Sequence, residues 1–173
     1  MGASGWAYFV EYQADLPAAF AALQAKVFAD GDYWWAVPGE WGKSARDYPN
    51  RPRTLDELFA DERVQESGTH SILDMRRVLD EGEPQRYGWL EAAMHHPFDF
   101  DRLAAEHGEP EYGTVAPVTV AEALGTAGTE RLTREHLEAV EELAKHRWFG
   151  RCAVLHDGAG APSELYFWGS SGD

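Results

Sequence analysis

The C-terminal end of the chain constrains its fold most. Arg151-Cys152-Ala153-Val154-Leu155-His156 and Glu164-Leu165-Tyr166-Phe167-Trp168 are β-prone runs on either side of Asp157-Gly158-Ala159-Gly160-Ala161-Pro162. Branched and aromatic residues flanking a Gly-rich connection read as a hairpin. The two-residue period of a strand sets Tyr166 and Trp168 on one face and Phe167 on the other. The N-terminus offers a further strand, Trp6-Ala7-Tyr8-Phe9-Val10-Glu11-Tyr12, apolar enough for burial on both faces. Asp15 then caps a helix with Pro17 in its first turn. Leu16, Phe20, Leu23 and Val27 recur at helical spacing, and Gly31 ends the helix.

The middle of the chain is less regular. Residues 32–53 carry Tyr33, Trp34, Trp35, Trp41 and Tyr48 among Pro38, Gly39, Gly42, Pro49 and Pro52, and read as a long aromatic loop. A loop of that length in a compact domain is usually functional or disordered, and so many aromatics argue against disorder. Thr54 and Glu57 form a capping box, as do Thr119 and Glu122. His70–Met75 and Tyr112–Val118 are expected as strands, and Trp89–His95 as a helical turn. Asp99 caps a helix that carries Leu103 and ends at Gly108, and Thr133 caps a helix over Arg134–Lys145 with Leu137, Val140 and Ala144 inside. This order predicts an α+β fold in one domain over residues 1–173. Its sheet is antiparallel, the N-terminal strand joins the C-terminal hairpin, and helices cover one face.

A hydrophobic share of 44% with 13% aromatics can build a core of ordinary size in 173 residues. The lone Cys152 excludes an internal disulfide framework and is expected as a buried, inert thiol. No stretch approaches the ~20 apolar residues of a membrane helix, and the N-terminus has no signal-peptide pattern, so the expected compartment is the cytoplasm.

The net charge is −15 and is unevenly placed. Residues 54–111 hold 15 acidic side chains against five basic ones, net −10. Such a surface repels nucleic acid and anionic membrane and attracts basic partners. The expected function is that of an acidic cytosolic binding protein that inhibits or neutralises a basic protein, as immunity and antitoxin proteins do. The partner would be a toxin or enzyme with a positively charged cleft. Its contacts are expected from Tyr33, Trp34, Trp35 and Trp41, since Trp and Tyr dominate binding hot spots, and from Asp56, Asp61 and Glu62; a loop folded back on the core would bury these aromatics instead.

Catalytic and metal signals are sparse. His95, His96, Asp99, Asp101 and His107 come nearest to a metal cluster, but no HExxH or paired-Cys spacing accompanies them. His70 stands near Ser71 and Asp74, the residue types of a hydrolase, but triads are built from distant segments and no G-x-S-x-G elbow exists. No cofactor and no metal are expected. The alternative reading is a small-molecule enzyme or ligand-binding protein with an aromatic-lined pocket, walled by residues 33–41 and with His70 or His95 as its acid–base group.

Overall fold

The computed structural model of the chain describes residues 4–37, 42–95 and 99–172. Strand β1 (Gly5–Glu11) leads into helix α1 (Leu16–Asp30). Asp15 Oδ1 accepts the Ala18 N–H at 2.9 Å, and Pro17 occupies the first turn, where no intrahelical donor is needed. Gly31 closes the helix at φ 66°, and its N–H returns to the Phe28 carbonyl at 3.0 Å. That left-handed position is open to glycine at no steric cost.

A two-stranded ribbon follows, β2 (Trp34–Trp35) against β3 (Lys43–Ser44). Helices α2 (Leu55–Phe59) and α3 (Glu62–Ser67) come next, then β4 (Arg77–Val78), α4 (Trp89–Ala93) and α5 (Phe100–His107). Strand β5 (Thr114–Pro117), helices α6 (Val120–Ala127) and α7 (Leu137–Glu141), and strands β6 (Phe149–His156) and β7 (Pro162–Ser170) complete the order.

The main sheet has five strands in the order β1-β7-β6-β5-β4. The N-terminal strand does join the C-terminal hairpin, pairing antiparallel with β7 from Gly5↔Ser170 to Glu11↔Glu164. The sheet is nevertheless mixed, not antiparallel throughout: β4 runs parallel to β5, and β5 parallel to β6. Helices α4–α5 and α6–α7 lie in the two long connections, which is the span a parallel crossover requires.

Helices cover both faces of the sheet rather than one. On one face Cys152, Leu165 and Phe167 pack with Phe20, Leu23 and Val27 of α1. On the other, Ala153, Leu155, Tyr166 and Trp168 pack with Ala123 of α6 and Val140 of α7. Alternate residues of β6 and β7 thus enter different cores, so both strands read as unbroken apolar runs. Burying β7 between β1 and β6 demands a second cover, which α6 and α7 provide. Trp168 Nε1 donates to the Glu141 carbonyl of α7 at 3.3 Å.

Three local expectations also change. Strand β1 is an edge strand that alternates, with Trp6, Tyr8 and Val10 turned to the core and Phe9 outward under the Arg134 guanidinium at 4.2 Å. His70–Met75 holds a single 3₁₀ turn at Ile72–Asp74, and pairing begins only at Arg77. The helix expected over Arg134–Lys145 is a 3₁₀ turn at Arg134–His136 followed by the short α7, in which Val140 is fully buried. No helix among the described residues is long and apolar enough to cross a membrane.

Candidate functional site

The aromatic loop turns mainly inward. Tyr33 and Trp35 are only 4% and 6% exposed and belong to the α1 core. Trp35 meets Tyr48 edge to face at 5.1 Å and donates through Nε1 to Asp61 Oδ2 at 3.1 Å. Trp34 is half-buried and stacks on His70, with ring centroids 4.7 Å apart and planes 5° from parallel. Trp41 lies outside the described residues, as does His96.

Of the three carboxylates expected at the interface, Asp61 is engaged within the chain. It caps α3 through the Arg63 N–H at 3.0 Å, and its Oδ2 lies 2.6 Å from Arg63 Nη2. Burial pushes its carboxyl up, but the hydrogen bonds from Arg63 and Trp35 outweigh burial and hold it below the ordinary value. Asp56 and Glu62 stay exposed on α2 and α3.

His70, Ser71 and Asp74 lie together without forming a triad. Ser71 is fully buried; its Oγ lies 2.8 Å from Thr69 Oγ1 and accepts the Leu73 N–H at 3.2 Å. Asp74 Oδ1 accepts from Thr69 N at 2.6 Å and Thr69 Oγ1 at 2.8 Å, while Ser171 Oγ donates to Oδ2. These bonds tie residues 69–74 to the end of β7. The His70 ring contacts neither group; its Nδ1 sits 3.2 Å from Ser4 Oγ. His95 is exposed just after α4, and Asp99 caps α5 through the Arg102 N–H at 3.1 Å. Among the described residues no three His, Cys, Asp or Glu side chains are grouped to hold a metal ion. Cys152 is buried mid-strand, and burial pushes its thiol up to about 12.

A cavity of about 650 Å³ opens where the amino ends of β4, β5 and β6 meet α1, α2 and α3. Its walls include Phe59, Val64, Met75, Tyr112 and Trp148, with Gln24, Asp74 and Arg76 as polar members. Gln24 Nε2 is fixed by the Met75 carbonyl at 2.8 Å. Trp148 sits at φ 65°, a left-handed conformation costly for a bulky residue. It is held there by its N–H to the Ser170 carbonyl and by its carbonyl to the Gly113 N–H, both 2.8 Å. Parallel sheets hold cofactors at the carboxyl ends of their strands, so this cavity at the amino ends is not that kind of site.

The rim carries what sequence reasoning missed. Phe59 and Tyr112 are both exposed, and both line the cavity. Helices α2 and α3 also carry Asp56, Glu57, Glu62 and Glu66, all exposed and without a salt bridge among the described residues. Arginine from the acidic segment is largely engaged within that segment. Arg63 pairs with Asp61, Arg77 with Glu83 and Glu111 at 2.8 and 2.7 Å, and Arg102 with Glu106 at 2.9 Å. An exposed Phe directly beside a buried Leu58 in a carboxylate-rich stretch is the signal that could have pointed here. Comparison of the chain with family models, with curated proteins and with solved structures finds no match.

Proposed function

We propose that this chain is an acidic protein-binding domain that docks on a basic partner through the α2–α3 face and the groove beside it, blocking the partner's positive surface. The observation that carries the reading is Phe59. It is an exposed aromatic lining a cavity of about 650 Å³, on a helix pair whose exposed Asp56, Glu57, Glu62 and Glu66 make no salt bridge among the described residues. An apolar centre in a charged rim is the anatomy of a protein interface, and aromatic residues there carry much of the binding energy. The rim sets partner choice and encounter rate: Asp56, Glu57, Glu62 and Glu66 favour a surface rich in Lys and Arg. Arg63, Arg77 and Arg102 are paired within the acidic segment, and Arg76 is the cation that lines the groove without a salt bridge among the described residues.

The test is capture of a partner at low salt, followed by two charge-reversed variants. Asp56→Lys/Glu62→Lys/Glu66→Lys should abolish capture. Glu130→Lys/Glu138→Lys/Glu142→Lys, the same change in charge on exposed residues outside α2 and α3, should retain it. Equal loss with both variants would sink the assignment of the α2–α3 face. A captured protein whose on-rate is the same at low and high salt would sink the electrostatic role itself, since exposed charges are screened over about 10 Å at 0.1 M salt.

A further inference from the structure

Strand β1 is the long edge of the main sheet, and it is unguarded. The opposite edge, β4, is only two residues long, and its Arg77 is held by Glu83 and Glu111. Strand β1, Gly5-Trp6-Ala7-Tyr8-Phe9-Val10-Glu11, has no proline, no lysine and no bulge in its register to β7. Proteins usually blunt a long edge by such means. The Ser171 N–H donates to the Ser4 carbonyl at 2.9 Å, and the Tyr12 N–H to the Ser163 carbonyl at 3.2 Å, so the even-numbered residues bond to β7. Antiparallel alternation then turns the N–H and C=O groups of Gly5, Ala7, Phe9 and Glu11 away from β7. These outward groups have no hydrogen-bond partner among the described residues, and all four residues are exposed.

We propose that β1 pairs with β1 of a second copy of this chain, antiparallel about Tyr8, so that the two sheets join edge to edge. This register sets Phe9 opposite Ala7 of the second copy and Glu11 opposite its Gly5, and both pairs use the outward groups. Large side chains then meet small ones. Phe9 is 40% exposed and stacks on Tyr166 with ring centroids 4.6 Å apart. Gly5 and Ala7 border a recess of about 290 Å³ with Ala144, Tyr166 and Trp168. Phe9 of the second copy covers the Ala7 side of that recess, and two-fold symmetry repeats the contact. On the other face a shallow recess of about 440 Å³ runs along Gly5–Tyr8 and takes Val10 of the second copy, opposite Trp6. Charge selects the same occupant. Glu11 and Lys145 are both exposed and without a salt bridge among the described residues. Lys145 follows Ala144 of the smaller recess, so Glu11 of the second copy arrives at the Gly5 end beside an unpaired lysine. Glu141, in the same lining, is already engaged by the Tyr166 hydroxyl. The two Glu11 carboxylates fall at opposite ends of the paired strands, about 20 Å apart at about 3.4 Å per residue, beyond the screening length of about 10 Å at 0.1 M salt. One strand from each copy makes an interface smaller than about 1,200 Å², so the dimer is weak and forms only in concentrated protein.

The experiment is analytical sedimentation of the full chain from about 10 μM to about 1 mM, at about 0.05 and about 0.5 M salt. The mass should rise from monomer to dimer with concentration. High salt should strengthen the dimer, because it screens repulsion between two copies of net charge −15. Binding of a basic partner on the α2–α3 face goes the other way with salt, so the two proposals fail separately. Ala7→Pro removes an outward N–H and no bond to β7, and an edge strand tolerates proline there. It should abolish dimerisation and keep a cooperative thermal melt. Lys145→Glu should weaken the dimer by about three- to tenfold. Adding Glu11→Lys should restore it, whereas adding Glu130→Lys, which corrects the net charge alone, should not. A chain that stays monomeric at the highest concentration overturns the proposal, including one whose edge takes only strands of other proteins. Growth past the dimer overturns it too, since a two-fold pairing of one edge closes on itself. So does a dimer that salt weakens, a charge swap that fails to restore association, or a folded Ala7→Pro variant that still dimerises.

Discussion

Leu58 and Phe59 are neighbours on α2, yet they should respond to truncation in opposite ways. Leu58 is 0% exposed and packs in the α1 core, whereas Phe59 keeps 41% of its surface in water. Leu58→Ala should cost about 2–5 kcal/mol of folding stability, as a buried leucine does. With a urea slope of about 2 kcal/mol/M, that lowers the unfolding midpoint by about 1–2.5 M. Burying a whole Phe side chain stabilises by about 1.5–3 kcal/mol, so the covered part of Phe59 contributes about 1–2 kcal/mol. Alanine returns about 0.5 kcal/mol of helix propensity. The net cost of Phe59→Ala is then about 1 kcal/mol, or a midpoint shift of about 0.5 M. Binding should reverse the order: loss of an interface-centre aromatic costs about 2 kcal/mol or more, at least a thirtyfold weakening. Urea melts and partner titrations of both variants give the two numbers side by side. If Phe59→Ala unfolds as early as Leu58→Ala, Phe59 is a core residue and the docking face has no apolar centre. If it binds a partner as tightly as the unmodified chain, the reasoning fails on the other side.

Three further outcomes follow from the packing. Gly169→Ala would put a Cβ 2.5 Å from the Trp6 ring and 2.6 Å from the Phe149 carbonyl oxygen, so it should destabilise by about 1–3 kcal/mol; Gly125→Ala, in α6 with nothing within 4 Å, should stabilise by about 0.5–1 kcal/mol. Thermal melts of the pair check both signs, and a stabilised Gly169→Ala would contradict the sheet register. Glu122 lies 2.6 Å from the buried Arg151; burial pushes its carboxyl up, but hydrogen bonds from Arg151 and Thr119 outweigh burial and hold it below the ordinary 4.5. Its stabilising contribution is therefore present above pH 4.5 and lost as pH falls through the lowered value. Glu122→Gln should cost about 2 kcal/mol at pH 7, less than a fully buried pair because 32% of the Glu122 side chain meets water, and the gap should close in acid. A gap that widens on acidification would reverse the sign argued here. Deleting residues 164–173 removes the strand that pairs with both β1 and β6, and should leave insoluble or molten protein; a truncation that unfolds cooperatively would show that β7 is dispensable.

Signals written in adjacent residues were legible from the amino acids alone. Asp15 and Gly31 bound α1, Thr54, Asp99 and Thr119 start the helices they were expected to start, and the C-terminal runs make a hairpin with Tyr166 and Trp168 on one face. Caps, turns and strand alternation need only a few neighbouring residues, so no distant contact is required to read them. The α+β character and the surplus of acid between residues 54 and 111 were legible on the same terms, while the pairing of the first strand with the hairpin was expected from the order of the elements. Tertiary structure alone decided the rest. Parallel pairing of Val78 with Val115 and of Val115 with Gly150 depends on crossovers whose strands are two and four residues long, too short to declare a partner. Tyr33 and Trp35 are aromatic whether they enter a core or a partner, and only the closing of the ribbon over α1 sends them inward. Of the expected interface residues, Asp56 and Glu62 stay exposed on α2 and α3, while Asp61 is drawn into Arg63 and Trp35. Phe59 emerges at the rim because α2 has only one buried side, which Leu58 fills. Trp34 of the ribbon and His70 of a left-handed turn come to stack from separate segments, and such proximity is a property of the fold rather than of either segment.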